Sequence, residues 1–144
     1  MKIVSTEFED GEQIPIKCSK KGNNTPPTLK FIDIPDNSKS LVLIMYDPGG
    51  PLIKFVHWIL INIPPDITEI SNSNFRQFSH GMNSLRRNSY LGPCPPYGTH
   101  RYFFILYALD TILDLDQKTT RKKTLRAMTG HIIDEAHLIG TFKK

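Results

Sequence analysis

A mainly β fold, built as a sandwich or a barrel, is what this sequence predicts, and three observations carry that expectation. Three segments of six to nine residues, 41–46 (LVLIMY), 55–63 (FVHWILINI) and 102–109 (YFFILYAL), are apolar on both alternating faces. Only one stretch has good helical periodicity, and it comes late. Residues 64–96 are rich in Asn, Ser, Pro and Gly without period, which reads as long ordered loops.

In chain order, residues 3–8 and 13–16 alternate partly and flank Glu9-Asp10-Gly11-Glu12, a tight-turn sequence, so both read as short peripheral strands. The three long apolar segments read as central strands, because a strand covered on two sides needs apolar residues at every position. The helix is expected over 119–128, with Leu125, Met128 and Ile132 at i, i+3 and i+7, Asp116 or Thr119 as its cap, and Gly130 at its end. Strand character returns over 136–142.

A chain of 144 residues fits one domain, taken as 1–144. With 39% hydrophobic and 22% charged residues it has enough apolar material to offset chain entropy, which excludes a disordered chain. The longest apolar stretch, 55–61, is interrupted by His57 and is far shorter than the ~20 residues that span a bilayer. The N-terminus meets Glu7, Glu9 and Asp10 instead of an apolar run, so a cytoplasmic protein is expected. Cys18 and Cys94 are expected to remain unpaired thiols, and no Cys/His spacing suggests a metal site. No cofactor is implied. The net charge of +4 divides into −2 for residues 1–72 and +6 for 73–144. The basic half raises a nucleic-acid reading, but its cations lie in short clusters without stacking aromatics, so a solvated surface is the favoured reading.

Two clusters could carry chemistry. Asp47-Pro48-Gly49-Gly50-Pro51 ends the first central strand, and His57-Trp58 opens the next, so a carboxylate and an imidazole can meet at one sheet edge. Turn capping by Asp47 and a core role for His57 are the plainer alternatives. The second cluster is Gly92-Pro93-Cys94-Pro95-Pro96, then His100-Arg101-Tyr102. His100 and Tyr102 are two apart on a strand and share a face, with Arg101 opposite. These groups and the loop amides suit a small anion such as phosphate. Binding is expected to strengthen as pH falls through the histidine range.

At these residues the sequence resembles the phosphatidylethanolamine-binding protein, or Raf kinase inhibitor, family. Its D-P-D-A-P and H-W block reads Asp47-Pro48-Gly49-Gly50-Pro51 with His57-Trp58, and its G-P-x-P-P and H-R-Y block reads 92–96 with 100–102. Further similarity lies in Asn24-Thr25-Pro26-Pro27, in Gly81 with Asn83, and in Tyr107-Ala108-Leu109-Asp110, and the match looks closest to the short bacterial and archaeal branch. The resemblance implies a two-sheet Greek-key β-sandwich and a small surface cavity for phosphate-like anions and phospholipid head groups. Carried over, Asp47, His57, Gly92, His100 and Tyr102 line that cavity and Pro93 shapes its rim. It also implies a Gly50-Pro51 peptide in the cis form. Two departures stand out: Gly49 replaces the second Asp of the first block, which removes a partner for an ammonium group, and Ser84-Leu85-Arg86 replaces D-F-G.

The function expected is a non-enzymatic regulator that binds an anion or phospholipid head group and inhibits a serine protease or kinase, as family members do. A homodimer stays open. The alternatives are a small hydrolase using His57 and Cys94, and a nucleic-acid binder. The first lacks a G-x-S-x-G elbow, P-loop or HExxH, and the second rests on charge alone.

Overall fold

The structure, a computed structural model, describes residues 1–49 and 54–144. In chain order these form β1 (Lys2–Ser5), β2 (Leu29–Ile32), β3 (Ser40–Asp47), β4 (Phe55–Ile63), β5 (Glu69–Ile70), β6 (Ser79–His80), β7 (Thr99–Leu109), α1 (Arg121–Met128) and β8 (Ile132–Lys143). A three-stranded sheet runs β1-β2-β5 and a five-stranded sheet runs β6-β4-β3-β7-β8, with all strand pairings antiparallel. The chain crosses over between β4 and β7 to bring β7 beside β3, as a two-sheet sandwich requires. The Gly50-Pro51 bond lies outside the described residues.

The three apolar segments are the centre of the large sheet because each has two faces to cover. Leu41, Leu43 and Met45 of β3 point into the core between the sheets, against Ile3, Leu29 and Phe31 of the small sheet. Val42, Ile44 and Tyr46 point the other way, into a second core closed by Leu113 and Met128. Tyr102, Phe104 and Leu106 of β7 repeat the first pattern, and Ile105, Tyr107 and Leu109 the second. At about 1.5–3 kcal/mol for each fully buried large apolar side chain, this two-sided burial makes β3 and β7 the rigid platform of the molecule.

The helix begins two residues later than its spacing suggests. Thr120, not Asp116 or Thr119, is the cap: its hydroxyl accepts the Lys123 N–H at 3.2 Å. Thr124 and Met128, four apart, form the buried face, and Gly130 at φ +82° turns the chain away. Ile132 falls on β8 instead, half exposed.

Residues 13–16 do not form a strand. The turn before them is real, with Gly11 at φ +87° and the Glu12 N–H donating to the Glu9 carbonyl at 2.9 Å, but β1 pairs with β2, and 13–16 make only an isolated bridge, Gln13 to Thr141. Pro15 lacks a ladder donor and the chain passes into a 3₁₀ turn at Ile16–Cys18. What residues 10–14 do instead is run along the outer edge of β8. Asp10 Oδ1 accepts the Ile139 N–H at 2.8 Å, Gly11 N–H donates to the Ile139 carbonyl at 2.7 Å, and Ile14 N–H donates to the Thr141 carbonyl at 2.8 Å. The Thr141 N–H donates back to Glu12 at 2.9 Å.

Candidate functional site

A cavity of about 460 Å³ opens where β3, β4 and β7 end beside the 90–97 loop. Asp47, His57, Gly92, His100 and Tyr102 all line it, and so do Lys20, Gly49, Phe55, Leu85, Cys94 and Tyr97. Pro93 does not. It is buried facing the 16–24 segment, where its carbonyl accepts the Lys20 N–H at 3.1 Å, and Pro95 and Pro96 form the wall in its place.

His57 reaches the cavity through an irregularity in β4. Met45 pairs with Trp58, but the next residue, Tyr46, pairs with Val56, so His57 is the extra residue of a bulge. Trp58 fills the inner core and Val56 the outer one, which leaves the imidazole re-aimed to the sheet end. There its ring meets the edge of Tyr102, centroids 5.1 Å apart. His57 Nδ1–H donates to the Leu91 carbonyl at 2.8 Å, which leaves Nε2 as the nitrogen that can meet a ligand. Burial, with 5% of the residue exposed, pushes its pKa below the ordinary 6.5, and the Leu91 carbonyl and the Asp47 charge only partly oppose this. His57 is therefore a neutral acceptor near pH 7. The strengthening of anion binding expected from its protonation belongs to a more acidic range than 6.5.

The carboxylate pairs with the other histidine. Asp47 Oδ2 lies 2.6 Å from His100 Nδ1, and Asp47 Oδ1 accepts the Gly49 N–H at 2.7 Å, so one buried carboxylate fixes both the imidazole and the turn. Tyr97 packs edge-on against His100, centroids 5.8 Å apart. Burial, then the Asp47 charge, raise the Tyr102 phenol well above its ordinary range, so it stays a donor. A Cβ on Gly49 would lie 3.0 Å from Asp47 Oδ1, and the glycine keeps that wall open.

Gly92 serves packing more than ligand contact. Its N–H donates to Asn24 Oδ1 at 2.7 Å, so that amide is not free for an anion, and an added Cβ would sit 2.2 Å from the Cys18 carbonyl oxygen. The Tyr90 hydroxyl donates to the same Cys18 carbonyl at 2.7 Å, which clamps the 16–24 segment to the loop. Asn24, at φ +54°, is the supporting residue that spacing could not reveal; an Asn before Thr-Pro-Pro was its only signal.

Cys94 is exposed on the cavity wall, whereas Cys18 is buried and its thiol is pushed up to about 12, chiefly by burial. Among the described residues no group of three or more His, Cys, Asp or Glu side chains is placed to hold a metal, and no helix is long and apolar enough to cross a membrane.

The family profile described as phosphatidylethanolamine-binding protein matches residues 4–143. The chain belongs to that family. A relative from Methanothermobacter thermautotrophicus, named only UPF0098 protein, is 40% identical, over 100% of this chain and 99% of its own. A phosphatidylethanolamine-binding protein homolog from Chlamydia trachomatis superposes with a TM-score of 0.94 at 38% identity, covering 99% of this chain and 97% of its own. Escherichia coli YbcL, described as a new member of the mammalian PEBP family, gives a TM-score of 0.91 at 25% identity, covering 99% of this chain and 98% of its own. The two antiparallel sheets and late helix are thus those of the phosphatidylethanolamine-binding proteins, and membership supports a binding or regulatory role.

Proposed function

We propose that the cavity takes a phosphate-type anion, free or as a phospholipid head group, and that through it this phosphatidylethanolamine-binding protein acts in the cytoplasm as a non-enzymatic regulator that inhibits a serine protease or a kinase. The observation that carries the reading is the convergence of His57, Lys20 and the β7 pair His100 and Tyr102, from three separate parts of the chain, on one cavity with a single buried carboxylate. Both imidazoles have Nδ1 committed to a protein oxygen, so each turns Nε2 to the ligand, where it accepts a P–OH while the ring is neutral and donates to the anion once the ring is protonated; Tyr102 and Lys20 are donors throughout. Asp47 is engaged by His100 and the Gly49 amide, and Gly49 brings no second carboxylate, so an ammonium group finds little to hold it. Rigid Pro/Gly walls lower the entropy lost when a partner docks over the mouth.

The test is an NMR titration with inorganic phosphate and with phosphorylethanolamine, beside an inhibition panel of serine proteases and kinases. Both anions should bind with similar affinity and shift His57, His100 and Tyr102, and His57→Ala and His100→Ala should each weaken binding roughly tenfold, the worth of one hydrogen bond to a charged ligand, with the His57 loss growing as pH falls and its ring takes up a proton. Unchanged binding in both variants removes the site. Turnover of an ester or phosphoester that is lost in Cys94→Ala would favour the hydrolase reading instead.

A further inference from the structure

Behind the cavity, on the other side of the 83–87 turn, lies a groove of about 1010 Å³ that the reading above does not use. Lys54, Arg86, Lys118, Arg121, Lys122 and Lys123 line it, with no acidic residue among the lining. They come from three separate stretches of chain, so the fold gathers them around one hollow. Among the described residues none of the six forms an ion pair.

Three further observations separate this groove from an ordinary solvated surface. Lys54 Nζ and the Arg121 guanidinium both sit over the Tyr46 ring, 5.0 and 4.9 Å from its centroid, which anchors two like charges on one aromatic ring. Arg121 Nε is buried without a hydrogen-bond partner. Arg86 stands at φ +60°, a left-handed conformation costly for a side-chain-bearing residue. That conformation is imposed by Asn83, whose Oδ1 accepts the Leu85 and Arg87 N–H groups at 2.9 and 3.2 Å and whose Nδ2–H donates to the Ser89 carbonyl at 3.1 Å. Strain so firmly maintained presents Leu85 to the cavity and Arg86 to the groove. The turn also departs from Asp-Phe-Gly in the two places that alter its charge, Ser84 for the acid and Arg86 for the glycine.

We propose that this groove is a second anion site, which takes a small molecule carrying two or three linked phosphates. A hollow of about 1010 Å³ ringed by cations from three segments has room for more than one phosphate, and a phosphate chain can bridge the 83–87 turn, Lys54 and the start of α1. The helix start reinforces this with its own partial positive charge. A nucleic-acid strand is disfavoured, because the cations ring a hollow and the one aromatic among them, Tyr46, is buried beneath two of them and offers no stacking face.

The experiment titrates sodium tripolyphosphate into the full chain carrying His57→Ala and His100→Ala, so that the cavity is disabled and the groove alone reports. One site is expected, weakening between 50 mM and 200 mM salt and binding tripolyphosphate at least tenfold tighter than phosphate. Adding Arg86→Gly should weaken it roughly tenfold, one charged contact, while thermal stability holds or rises because glycine accepts that φ. Lys122→Gln/Lys123→Gln should do the same through charge alone. Adenosine triphosphate in parallel distinguishes the source: equal affinity assigns the phosphate chain alone, and tighter binding assigns a nucleotide. Tripolyphosphate binding no tighter than phosphate, no loss in either set of groove variants, or tighter binding of a single-stranded oligonucleotide through the same residues overturns the proposal. These outcomes leave the cavity reading untouched, since its histidines are absent from every protein used.

Discussion

The cavity and the groove share the 83–87 turn as a wall, yet they are built on opposite principles. In the cavity the buried carboxylate and both imidazoles are held: Asp47 by His100 and Gly49, His57 by Leu91. In the groove none of the six cations has a carboxylate partner among the described residues, and all but Arg121 are exposed. The first arrangement selects by shape and hydrogen-bond geometry and is costly to disturb. The second selects by charge, and its members can be exchanged with little effect on folding. Buried polar groups are structural before they are functional, whereas exposed charges are free to be only functional.

Three substitutions and one titration probe that contrast. The largest effect is expected from Gly92→Ala, because the new methyl would meet backbone atoms of Cys18 and Ser19 that cannot move aside. A loss of about 3 kcal/mol or more, and a fall in Tm of roughly 10 °C, should appear in thermal denaturation. A melt within two degrees of the parent would mean the 16–24 clamp is looser than described.

Next comes Asp47→Asn set beside Lys122→Gln. Replacing the buried carboxylate should cost about 1.5–3 kcal/mol in denaturant unfolding, since the His100 contact loses its charge assistance. Neutralising the exposed lysine should change stability by less than about 0.5 kcal/mol. Equal costs would erase the distinction between the two regions.

The smallest effect concerns pH. Because burial lowers the native pKa of His57 below its unfolded value, the unfolded state binds more protons between the two values. The contribution from keeping His57 neutral is therefore complete above about pH 6.5, the ordinary histidine value, and declines as pH falls below it. An NMR titration of the ligand-free protein should place the His57 midpoint below 6.5, and phosphate should raise it. A ligand-free midpoint at or above 6.5 contradicts the assignment of His57 as a neutral acceptor.

The parts of the molecule legible in sequence were those with a strong local pattern. The two-faced apolar runs gave β3, β4 and β7, and the alternation on β7 placed His100 and Tyr102 together with Arg101 opposite. Arg101 indeed turns to Phe103, its guanidinium 5.4 Å from the ring centroid. What stayed hidden depends on partners distant in the chain. Leu-Lys-Phe-Ile of β2 is only four residues long and becomes a strand because β1 and β5 flank it. The β4 bulge exists only in its register with β3, so no reading of 55–63 alone could show why His57 escapes the core. The pairing of Asp47 with His100 rather than His57 follows from that same displacement.

The segment over residues 10–14 has a consequence for how copies of this chain meet. A twelve-residue strand with one side unpaired is a ready template for another strand, and β8 is such a strand. Over 139–141 its amides and carbonyls are already taken by residues 10–14, and farther back the edge carries Asp134, Glu135 and His137. That backbone strip therefore caps a stretch of β8 edge through which another copy of the chain could otherwise add a strand.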